Sequence, residues 1–359
     1  MNVFALNSSA RSGGQSKTEL MLHHLIDGMR EAGADVDVVN LREKKIKNCT
    51  GCFSCMTKTP GECVLKDDMT GELFSKWLES DLVIYATPLF HHTVNATMKT
   101  FIERTFPICE PFFLEKEGRW IHPLRKKHPA AVVLSVCGFP SMSAFGGLTH
   151  YVKFLFEEQE EGRLWAEIYR PASEFMLQTV DKKNDIFDAT TQAGRELVKN
   201  RKVSPETLAR IEQPIVDDFS VFVEVANCMW RTCISEGLTR KKFEKEDMMP
   251  RPDSIETFML IIPMGFNPEA AGDTKATFQF EFSGSVEGSC HLIISNGDIK
   301  AIEGKSKNPD LVIKTPFDVW MDIQTGKADG AEMFMEGEYE VEGKTDLLLE
   351  MQKLFGREN

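Results

Sequence analysis

The sequence predicts an α/β fold with a doubly wound, parallel five-stranded sheet, followed by helices and a C-terminal α+β domain. Short apolar runs alternate with helical patterns in the first two-thirds of the chain, the order typical of parallel strands joined by helices. Later, short alternating strands follow one another with turn signals between them, which favours an antiparallel sheet. With 359 residues, of which 42% are hydrophobic, the chain is long enough for two cores.

The composition excludes several classes of protein. The formal net charge of -13 argues against a nucleic-acid-binding surface. No apolar run approaches the roughly 20 residues that span a bilayer, and the first residues do not resemble a signal peptide. We therefore expect a cytoplasmic protein without a membrane span, in which thiols stay reduced. The odd number of cysteines, nine, also argues against a fully paired disulfide framework.

The five strands of the first sheet are predicted from short apolar runs: Val3–Leu6, Val36–Leu41, Leu82–Ala86, Ala130–Val136 and Leu164–Tyr169. Helical patterns separate these runs, at Leu20–Met29, Asn95–Arg104 and Phe145–Glu158. Five strands with helices on both faces suit a flavodoxin-like order. Ligands bind such sheets beyond the carboxyl ends of the strands, so the loops at those ends are the candidate site.

The loop after the first strand, from Asn7 to Ser16, is rich in serine and glycine and opens a helix. Backbone N–H groups at a helix N-terminus suit a phosphate, and the hydroxyls and the guanidinium of Arg11 can supplement them. The loop lacks the dinucleotide pattern G-x-G-x-x-G, so we expect one terminal phosphate. The alternative is an ordinary polar turn with a helix cap.

The loop after the third strand reads T-P-L-F-H-H-T. Pro88 lacks an N–H group, so we expect the chain to turn outward there. Leu89 and Phe90 offer apolar contacts to a flat ring. We interpret His91 and His92 as solvated loop residues rather than as a metal-binding pair.

The loop after the fourth strand, C-G-F-P at 137–140, contains a glycine that permits close backbone approach. Together with S-S-A-R-S-G-G-Q-S and A-T-P-L-F-H-H-T-V-N-A-T-M-K, it resembles the flavin loops of the NADPH-dependent FMN reductase family, over roughly residues 1–200. The resemblance implies a flavodoxin-like fold that binds FMN rather than FAD. It implies phosphate contacts from Ser9, Arg11, Gln15 and Ser16, contacts beside the isoalloxazine from Thr87, Pro88, Leu89, Phe90 and His91, and contacts on its far side from Gly138 and Phe139.

A separate loop holds four cysteines with the spacing C-x2-C-x2-C-x7-C: Cys49, Cys52, Cys55 and Cys63. Four thiolates suit a [4Fe–4S] cluster or a tetrahedral zinc ion. Zinc sites more often use two separated C-x2-C hairpins, and a redox dithiol would need a thioredoxin-like context that is missing here. The remaining alternative is a loop of small side chains without a metal.

This cysteine loop resembles the compact motif of archaeal and bacterial iron–sulfur flavoproteins, a branch of the same FMN family. The resemblance implies that the four cysteines hold a cluster near the flavin and that the FMN of a neighbouring protomer completes the electron path. Relatives without a cluster keep a similar loop, in which Asp67-Asp68-Met69 leads into the next helix.

The last part of the chain begins with a helix start at Ser204-Pro205 and an apolar helical stretch to about Ser235, which we predict to form a subunit interface. The charged stretch Leu238–Ser254 is typical of a linker. Four strands and two helices are predicted beyond it: Thr274–Phe282, Cys290–Ser295, Ile299–Glu303, Leu311–Thr315, Phe317–Gln324 and Leu347–Phe355. The predicted domains are 1–202, 203–250 (helical segment and linker) and 251–359.

The segment from about 252 to 354 resembles the sterol carrier protein-2 family, through A-T-F-Q-F-E-F-S-G and N-G-D-I-K-A-I-E-G-K-S-K-N-P-D-L-V-I-K-T. The resemblance implies an antiparallel sheet covered by helices, often with an apolar tunnel. Several apolar side chains are candidates for lining such a tunnel: Met321, Met333, Met335, Leu347, Leu348 and Met351. Because methionine is a common gap-filler, we expect a filled core instead.

These features predict an FMN-dependent NAD(P)H oxidoreductase or iron–sulfur flavoprotein. It would pass electrons between NAD(P)H, or a one-electron carrier such as ferredoxin, and a small or lipid-like acceptor. Because the flavin supplies the redox chemistry, no catalytic acid or base is predicted. We expect a homo-oligomer, a dimer or a tetramer. The alternative is a non-enzymatic ligand- or lipid-binding protein with a vestigial flavodoxin-like domain.

Overall fold

The computed structural model describes residues 1–116, 118–157, 162–176, 180–215, 219–246 and 248–355. The chain divides into two compact units, Met1–Asp217 and Asp218–Asn359. The predicted domain boundaries at 202 and 250 remain predictions.

The first unit contains a five-stranded parallel sheet in the order β2-β1-β3-β6-β7, as predicted. Its strands and the small hairpin β4–β5 are β1 (Asn2–Asn7), β2 (Asp35–Asn40), β3 (Leu82–Pro88), β4 (Leu114–Lys116), β5 (Arg119–Ile121), β6 (Ala130–Val136) and β7 (Leu164–Arg170). Its helices are α1 (Lys17–Glu31), α2 (Phe74–Glu79), α3 (Ala96–Glu103), α4 (Gly146–Phe156), α5 (Val180–Asn200) and α6 (Pro205–Glu212). This is the flavodoxin-like strand order, with the loops after the strands gathered at one edge.

Helices cover both faces of this sheet. On one face, α2, α3 and α4 bury Trp77, Phe101 and Leu148 against side chains of the strands. On the other, α1 and α5 meet at two glycines. A Cβ atom at Gly28 would lie 1.8 Å from the carbonyl oxygen of Thr191, and one at Gly194 would lie 2.1 Å from that of Leu25. The two helices therefore touch backbone to backbone, which only glycine permits.

The structure extends or adds to several predicted elements of this unit. Strand β3 continues through Pro88, because the next residue, Leu89, supplies the N–H group that bonds to the carbonyl oxygen of Val136 at 3.0 Å. The prediction that the chain turns outward at Pro88 is therefore wrong, because the strand pairing continues to Leu89, one residue further along. The long helix α5 and the hairpin β4–β5 were not predicted. The last residue of the predicted helix Phe145–Glu158 lies outside the described residues.

The second unit has a five-stranded sheet in the order β10-β9-β8-β11-β12. Its strands are β8 (Ala276–Ser283), β9 (Gly288–Ser295), β10 (Asp298–Glu303), β11 (Leu311–Pro316) and β12 (Glu340–Gly343). Its helices are α7 (Ser220–Ser235), α8 (Arg240–Lys245), α9 (Ile255–Ile261), α10 (Pro268–Ala271), α11 (Phe317–Gln324), α12 (Gly330–Met335) and α13 (Asp346–Phe355). Helix α8 lies within the stretch that was predicted to be a linker.

The expectation of a purely antiparallel sheet is wrong for one pair, since β8 and β11 are parallel. After β10, the chain crosses back, and the N–H group of Asp310 bonds to the carbonyl oxygen of Thr277 at 2.9 Å. Strand β11 therefore starts beside the start of β8. The predicted turn at Asn296-Gly297 is present, with both residues at positive φ, as the type I′ hairpin requires. Among the described residues, no helix has the length and apolar character of a bilayer-spanning segment.

Candidate functional site

The loop between β1 and α1 is held closed by two buried serines. The hydroxyl of Ser16 caps α1 by accepting the N–H group of Glu19 at 3.1 Å, and it donates to the hydroxyl of Ser9 at 2.8 Å. Ser9 in turn accepts the N–H group of Arg11 at 3.3 Å. The first amides of α1 have no acceptor within the helix and carry the positive end of its dipole. The loop is therefore shaped by hydroxyls and offers N–H groups at its opening.

Two arginines and an acidic residue surround this loop. Nη1 of Arg11 lies 3.0 Å from Oε1 of Glu174, and both side chains are partly exposed. Arg42, directly after β2, donates from Nη1 to the carbonyl oxygen of Arg11 at 3.2 Å and from Nη2 to Glu19 at 3.1 Å. Gln15, a predicted phosphate contact, is exposed. Sequence reasoning missed Arg42 and Glu174, although both follow strands whose carboxyl ends lie at this edge.

The loop after β3 forms a tight turn that presents an aromatic ring. Phe90 and Thr93 exchange backbone hydrogen bonds of 3.1 and 3.0 Å, with His91 and His92 at positive φ between them. Such a backbone is uncommon for residues other than glycine. The side chain of Phe90 is 55% exposed and His91 is also exposed, whereas Thr87 is fully buried. Of the predicted ring contacts in this loop, Phe90 and His91 therefore face solvent most openly.

The loop after β6 meets this turn. The ring of Phe139, which is 61% exposed, stacks on the ring of His92 with centroids 6.2 Å apart. His92 is also anchored, since its Nδ1 lies 2.9 Å from the carbonyl oxygen of Ala144. A Cβ atom at Gly138 would lie 3.6 Å from the side chain of Glu174. The second and third loops thus form one aromatic wall, beside the acidic residue that pairs with Arg11.

Asn95 ties the first loop to the second. Its Nδ2 donates to the carbonyl oxygen of Ser8 at 2.7 Å, while its Oδ1 caps α3 by accepting the N–H group of Met98 at 3.0 Å. Its own N–H group bonds to the buried hydroxyl of Thr87 at 3.2 Å. The edge therefore combines hydroxyls, N–H groups and a guanidinium with exposed aromatic rings, a donor set that fits a phosphate joined to a flat ring system.

The four clustered cysteines, Cys49, Cys52, Cys55 and Cys63, line one cavity of about 60 Å³ and all are free thiols. Burial, together with the neighbouring thiols, raises the pKa of Cys55. The thiols of Cys49, Cys52 and Cys63 therefore lie near that of Cys55. Within the described ranges, no three side chains of the His, Cys, Asp or Glu type are arranged to hold a metal ion. The donors fit an iron–sulfur cluster or zinc in kind, but their placement is not that of a preformed site.

A buried ion pair supports this cysteine loop. Nη1 of Arg104 lies 2.6 Å from Oδ2 of Asp67, and both side chains are almost fully buried. Nη2 of Arg104 lies 3.4 Å from the sulfur of Cys63. Burial alone would raise the pKa of Asp67, but hydrogen bonds from Arg104 and from the N–H groups of Lys47 and Thr70 lower it below its usual value. The carboxylate therefore stays charged at neutral pH and holds the guanidinium in place.

The second unit contains an open cavity of about 920 Å³, large enough for a small organic molecule. Most of its lining is apolar, and it includes Met249, Ile323, Phe334, Met335, Leu348 and Met351. Of the six predicted tunnel candidates, Met321 is fully buried, and Met333 and Leu347 pack against the core. The six candidate residues are thus divided between the packed core and the lining of an open cavity beside it.

Comparison with known families agrees with the two resemblances. Residues 1–150 match the sequence model described as NADPH-dependent FMN reductase. Residues 267–356 match the SCP-2 sterol transfer family. The two matches cover separate parts of the chain, one in each compact unit.

Among similar proteins, an iron-sulfur flavoprotein of Archaeoglobus fulgidus is 43% identical over 105 residues, which are 29% of this chain and 45% of that protein. An iron-sulfur flavoprotein of Methanocaldococcus jannaschii is 29% identical over 117 residues, which are 33% of this chain and 58% of that protein. An FMN-dependent NADH:quinone oxidoreductase of Pelagibacter ubique is 25% identical over 164 residues, 43% and 81% of the respective chains.

The chain spans about half the length of the iron-sulfur flavoproteins that it matches. Residues 1–150 are therefore similar to the NADPH-dependent FMN reductase family, and residues 267–356 are similar to the SCP-2 sterol transfer family.

Proposed function

We propose that the protein is an FMN-dependent oxidoreductase that passes electrons from NAD(P)H or a one-electron carrier to a small or lipid-like acceptor. The observation that carries this proposal is the match of residues 1–150 to the NADPH-dependent FMN reductase family. The convergence of three loops at the carboxyl edge of the sheet supports it, because that edge is where such folds bind ligands.

In this proposal, the loop between β1 and α1 binds the FMN phosphate. Arg11 and Gln15 reach it from the exposed side, while Ser9 and Ser16 shape the loop and orient its N–H groups. The positive end of the α1 dipole adds to the attraction. Bound FMN would supply hydride and single-electron chemistry. The chain itself would bind and orient it, so no side chain is assigned as a catalytic acid or base.

The isoalloxazine would lie against the aromatic wall of Phe90, His92 and Phe139, beside Gly138. The ring of Phe139 is fixed by its stacking on His92, so it can exclude water from one side of a flat ligand. Thr87, Pro88, Leu89 and His91 are the other proposed ring contacts. Of these, Thr87 has a buried hydroxyl that accepts a hydrogen bond from the N–H group of Asn95. For Thr87, a role in positioning the loop is therefore better supported than a direct contact with the flavin.

The flavin proposal is tested by the visible spectrum of the protein as purified, and by chromatography of the released cofactor. We expect a flavin spectrum that is restored by FMN after the cofactor has been stripped. Arg11→Ala should weaken FMN binding about tenfold or more, because a charge-assisted hydrogen bond to the phosphate is lost. Protein that contains no flavin and gains none when FMN is added would contradict the proposal.

We further propose that Cys49, Cys52, Cys55 and Cys63 hold a [4Fe–4S] cluster. The four free thiols on one cavity support this, as do the names of the archaeal relatives. A cluster would supply one-electron chemistry and would suit ferredoxin as a partner. The iron and sulfide content of the purified protein would separate the cluster from the two alternatives, a zinc ion and a loop without metal.

The large cavity of the second unit favours a role in binding an apolar ligand. We propose that it takes a lipid-like molecule such as a quinone, whose low solubility in water makes a carrier useful. Joining carrier and flavin domain in one chain would raise the local concentration of the acceptor. The alternative, a binding protein without enzymatic activity, would keep this ligand but show no flavin in the spectrum.

We propose that the protein forms a dimer or larger homo-oligomer through α7. This helix exposes apolar side chains, including Val221, Trp230 and Ile234, the last of which is 79% exposed. Large exposed apolar patches are typical of interaction surfaces. Sedimentation of the full-length chain at micromolar concentration should give at least a dimer, whereas a single species of about 40.6 kDa would contradict this proposal.

A further inference from the structure

A buried arginine forms part of the wall of the cysteine cavity. Helix α3 ends at Arg104, whose side chain lies in the interior, with the residue only 2% exposed. Arg104 lines the same cavity as the four clustered cysteines. Arginine is almost never buried to this extent unless its charge is paired. A fixed positive charge therefore lies beside the four thiols.

Residues that do not line the cavity hold this guanidinium in one orientation. Nη1 of Arg104 donates to Oδ2 of Asp67 and to the carbonyl oxygen of Lys47, both at 2.6 Å. Nη2 donates to Oδ1 of Asp67 and to the hydroxyl of Thr70, both at 3.1 Å. A two-point pairing with a carboxylate fixes the plane of a guanidinium as well as its position. The fold itself therefore places this side chain.

The guanidinium also contacts one of the four cysteines. Nη2 of Arg104 lies 3.4 Å from the sulfur of Cys63. Because sulfur is larger than oxygen, this is a hydrogen-bonding distance. Within the described residues, Cys63 is the one clustered cysteine to which Arg104 donates. A sulfur that accepts an N–H group from a cation has its negative charge stabilised, so the contact distinguishes Cys63 from the other three proposed ligands.

Arg104 has one further N–H group to donate. Its Nε is buried and has no hydrogen-bond partner in the part of the chain that the structure describes. A buried donor without an acceptor is rare, because it has lost its bonds to water and gained none in exchange. A negatively charged group bound in the cavity would bring acceptors next to this guanidinium. The unpartnered donor is thus a second observation that favours an anionic occupant.

We propose that Arg104 is a positioning residue of the cysteine cavity, which donates to Cys63 and raises the reduction potential of the bound cluster. This inference rests on the proposed function, in which the four clustered cysteines hold an iron–sulfur cluster. Reduction by one electron adds one negative charge, and a cationic donor that is already in place stabilises the added charge. A purely structural role, in which Arg104 only ties α3 to the loop, would leave the potential unchanged.

The first test is an anaerobic redox titration in which electron paramagnetic resonance follows the reduced cluster. In Arg104→Lys, the single ammonium keeps the charge but cannot reproduce the fork of contacts to Asp67 and Cys63. At a fixed potential, we expect the ratio of reduced to oxidised cluster to fall about three- to tenfold, since one charge-assisted hydrogen bond is lost. The midpoint potential should shift to a more negative value.

Arg125→Lys is the matched control. The side chain of Arg125 lies against the same loop, since a Cβ atom at Gly61 would be 3.5 Å from its Cδ, but Arg125 does not line the cavity. The control should have the potential of the unaltered protein. An equal shift in both variants, or no shift in Arg104→Lys, would overturn the inference.

A second measurement does not depend on the folding of a variant. The unaltered protein is produced with arginine labelled with the heavy nitrogen isotope, and pulsed electron paramagnetic resonance is recorded on the reduced cluster. We expect a coupling to the labelled nitrogen, which Arg125→Lys keeps. Protein with its full iron content but without this coupling would overturn the inference and leave the proposed cluster intact. Protein without iron would overturn both.

Discussion

The guanidinium of Arg11 and the carboxylate of Glu174 form an ion pair, with Nη1 and Oε1 3.0 Å apart. The two residues are 163 positions apart in the chain and meet at the carboxyl edge of the parallel sheet. Arg11 is the one cationic residue in the loop between β1 and α1, and its guanidinium is already paired with Glu174. A phosphate that binds there must therefore compete with Glu174 for Arg11, and it also meets a negative charge.

Removing that negative charge should strengthen FMN binding. We expect Glu174→Gln to lower the dissociation constant of FMN about two- to fivefold, since partly exposed ion pairs contribute up to about 1 kcal/mol. Riboflavin, which lacks the phosphate, should bind equally well to both proteins. Quenching of flavin fluorescence measures both constants. Glu206→Gln, an exposed acid in the first turn of α6, is the control. Equal strengthening for riboflavin would show that Glu174 acts on the ring rather than on the phosphate.

The proposed cluster in the cysteine loop predicts the iron and sulfide content of the protein. Anaerobically purified protein should contain about four iron and four sulfide per chain, as a [4Fe–4S] cluster does. Substituting alanine for any one of the four clustered cysteines should remove most of the iron. Cys109→Ala is the matched control, because Cys109 is also a free thiol but does not line the cavity. Protein without iron but with one zinc would support the zinc alternative, and protein without either metal would support the empty loop.

Filling the large apolar cavity of the second unit should weaken the binding of an apolar ligand. Ala331 is exposed and lines the cavity, so Ala331→Trp narrows it without disturbing the core. We expect binding of a hydrophobic fluorescent probe to weaken severalfold, and reduction of a lipid-like quinone to fall relative to that of a water-soluble one. Ala331→Ser is the control. An unchanged ratio of the two quinone activities, together with weakened probe binding, would show that the cavity does not deliver the electron acceptor.

The buried pair of Arg104 and Asp67 should contribute strongly to stability. Asp67→Asn should lower the free energy of unfolding by about 3–5 kcal/mol, because it leaves a buried guanidinium without its counter-charge. The folded-state pKa of Asp67 lies below its usual 3.8. The contribution of the pair is therefore complete at neutral pH and declines as the pH falls below about 3.8 towards the lowered pKa. Urea unfolding at pH 7 and pH 3 measures this. Equal loss of stability in Asp68→Asn, whose half-buried carboxylate accepts the N–H group of Lys45 at 2.7 Å but pairs with no buried arginine in the described residues, would argue against the ion pair as the cause.

The strands were predictable because each is marked by local residues. The run Ala130–Val136 is apolar throughout, as expected for a central parallel strand, and its predicted and observed bounds agree. Helix α5 was missed because its 21 residues are mostly polar, with a narrow apolar stripe formed by Ile186, Ala189, Ala193 and Leu197. The parallel pairing of β8 with β11 was missed because a crossover places residues together that are far apart in the chain.

In the candidate site, too, residues with a local sequence signal were predictable, whereas residues that matter through long-range contacts were not. The loops after β1, β3 and β6 carry their own sequence signals, and the fold brings them to one edge. Glu174 and Arg42 carry no local signal, since an acidic residue and an arginine are ordinary on loops. Their importance comes from contacts across 163 and 31 positions, with Arg11 in both cases. Only the three-dimensional arrangement identifies them.

The backbone contact between α1 and α5 limits how the protein can be redesigned. Gly28 and Gly194 leave no room for even a methyl group, so an alanine at either position would push α1, which follows the proposed phosphate-binding loop, away from α5. A combinatorial library aimed at a different cofactor can vary Arg11, Ser12 and Gln15, keeping Gly13 and Gly14 because of their positive φ, while Gly28 and Gly194 stay fixed. Glycine-to-alanine exchange, a common route to thermostable variants, should therefore be avoided at these two positions.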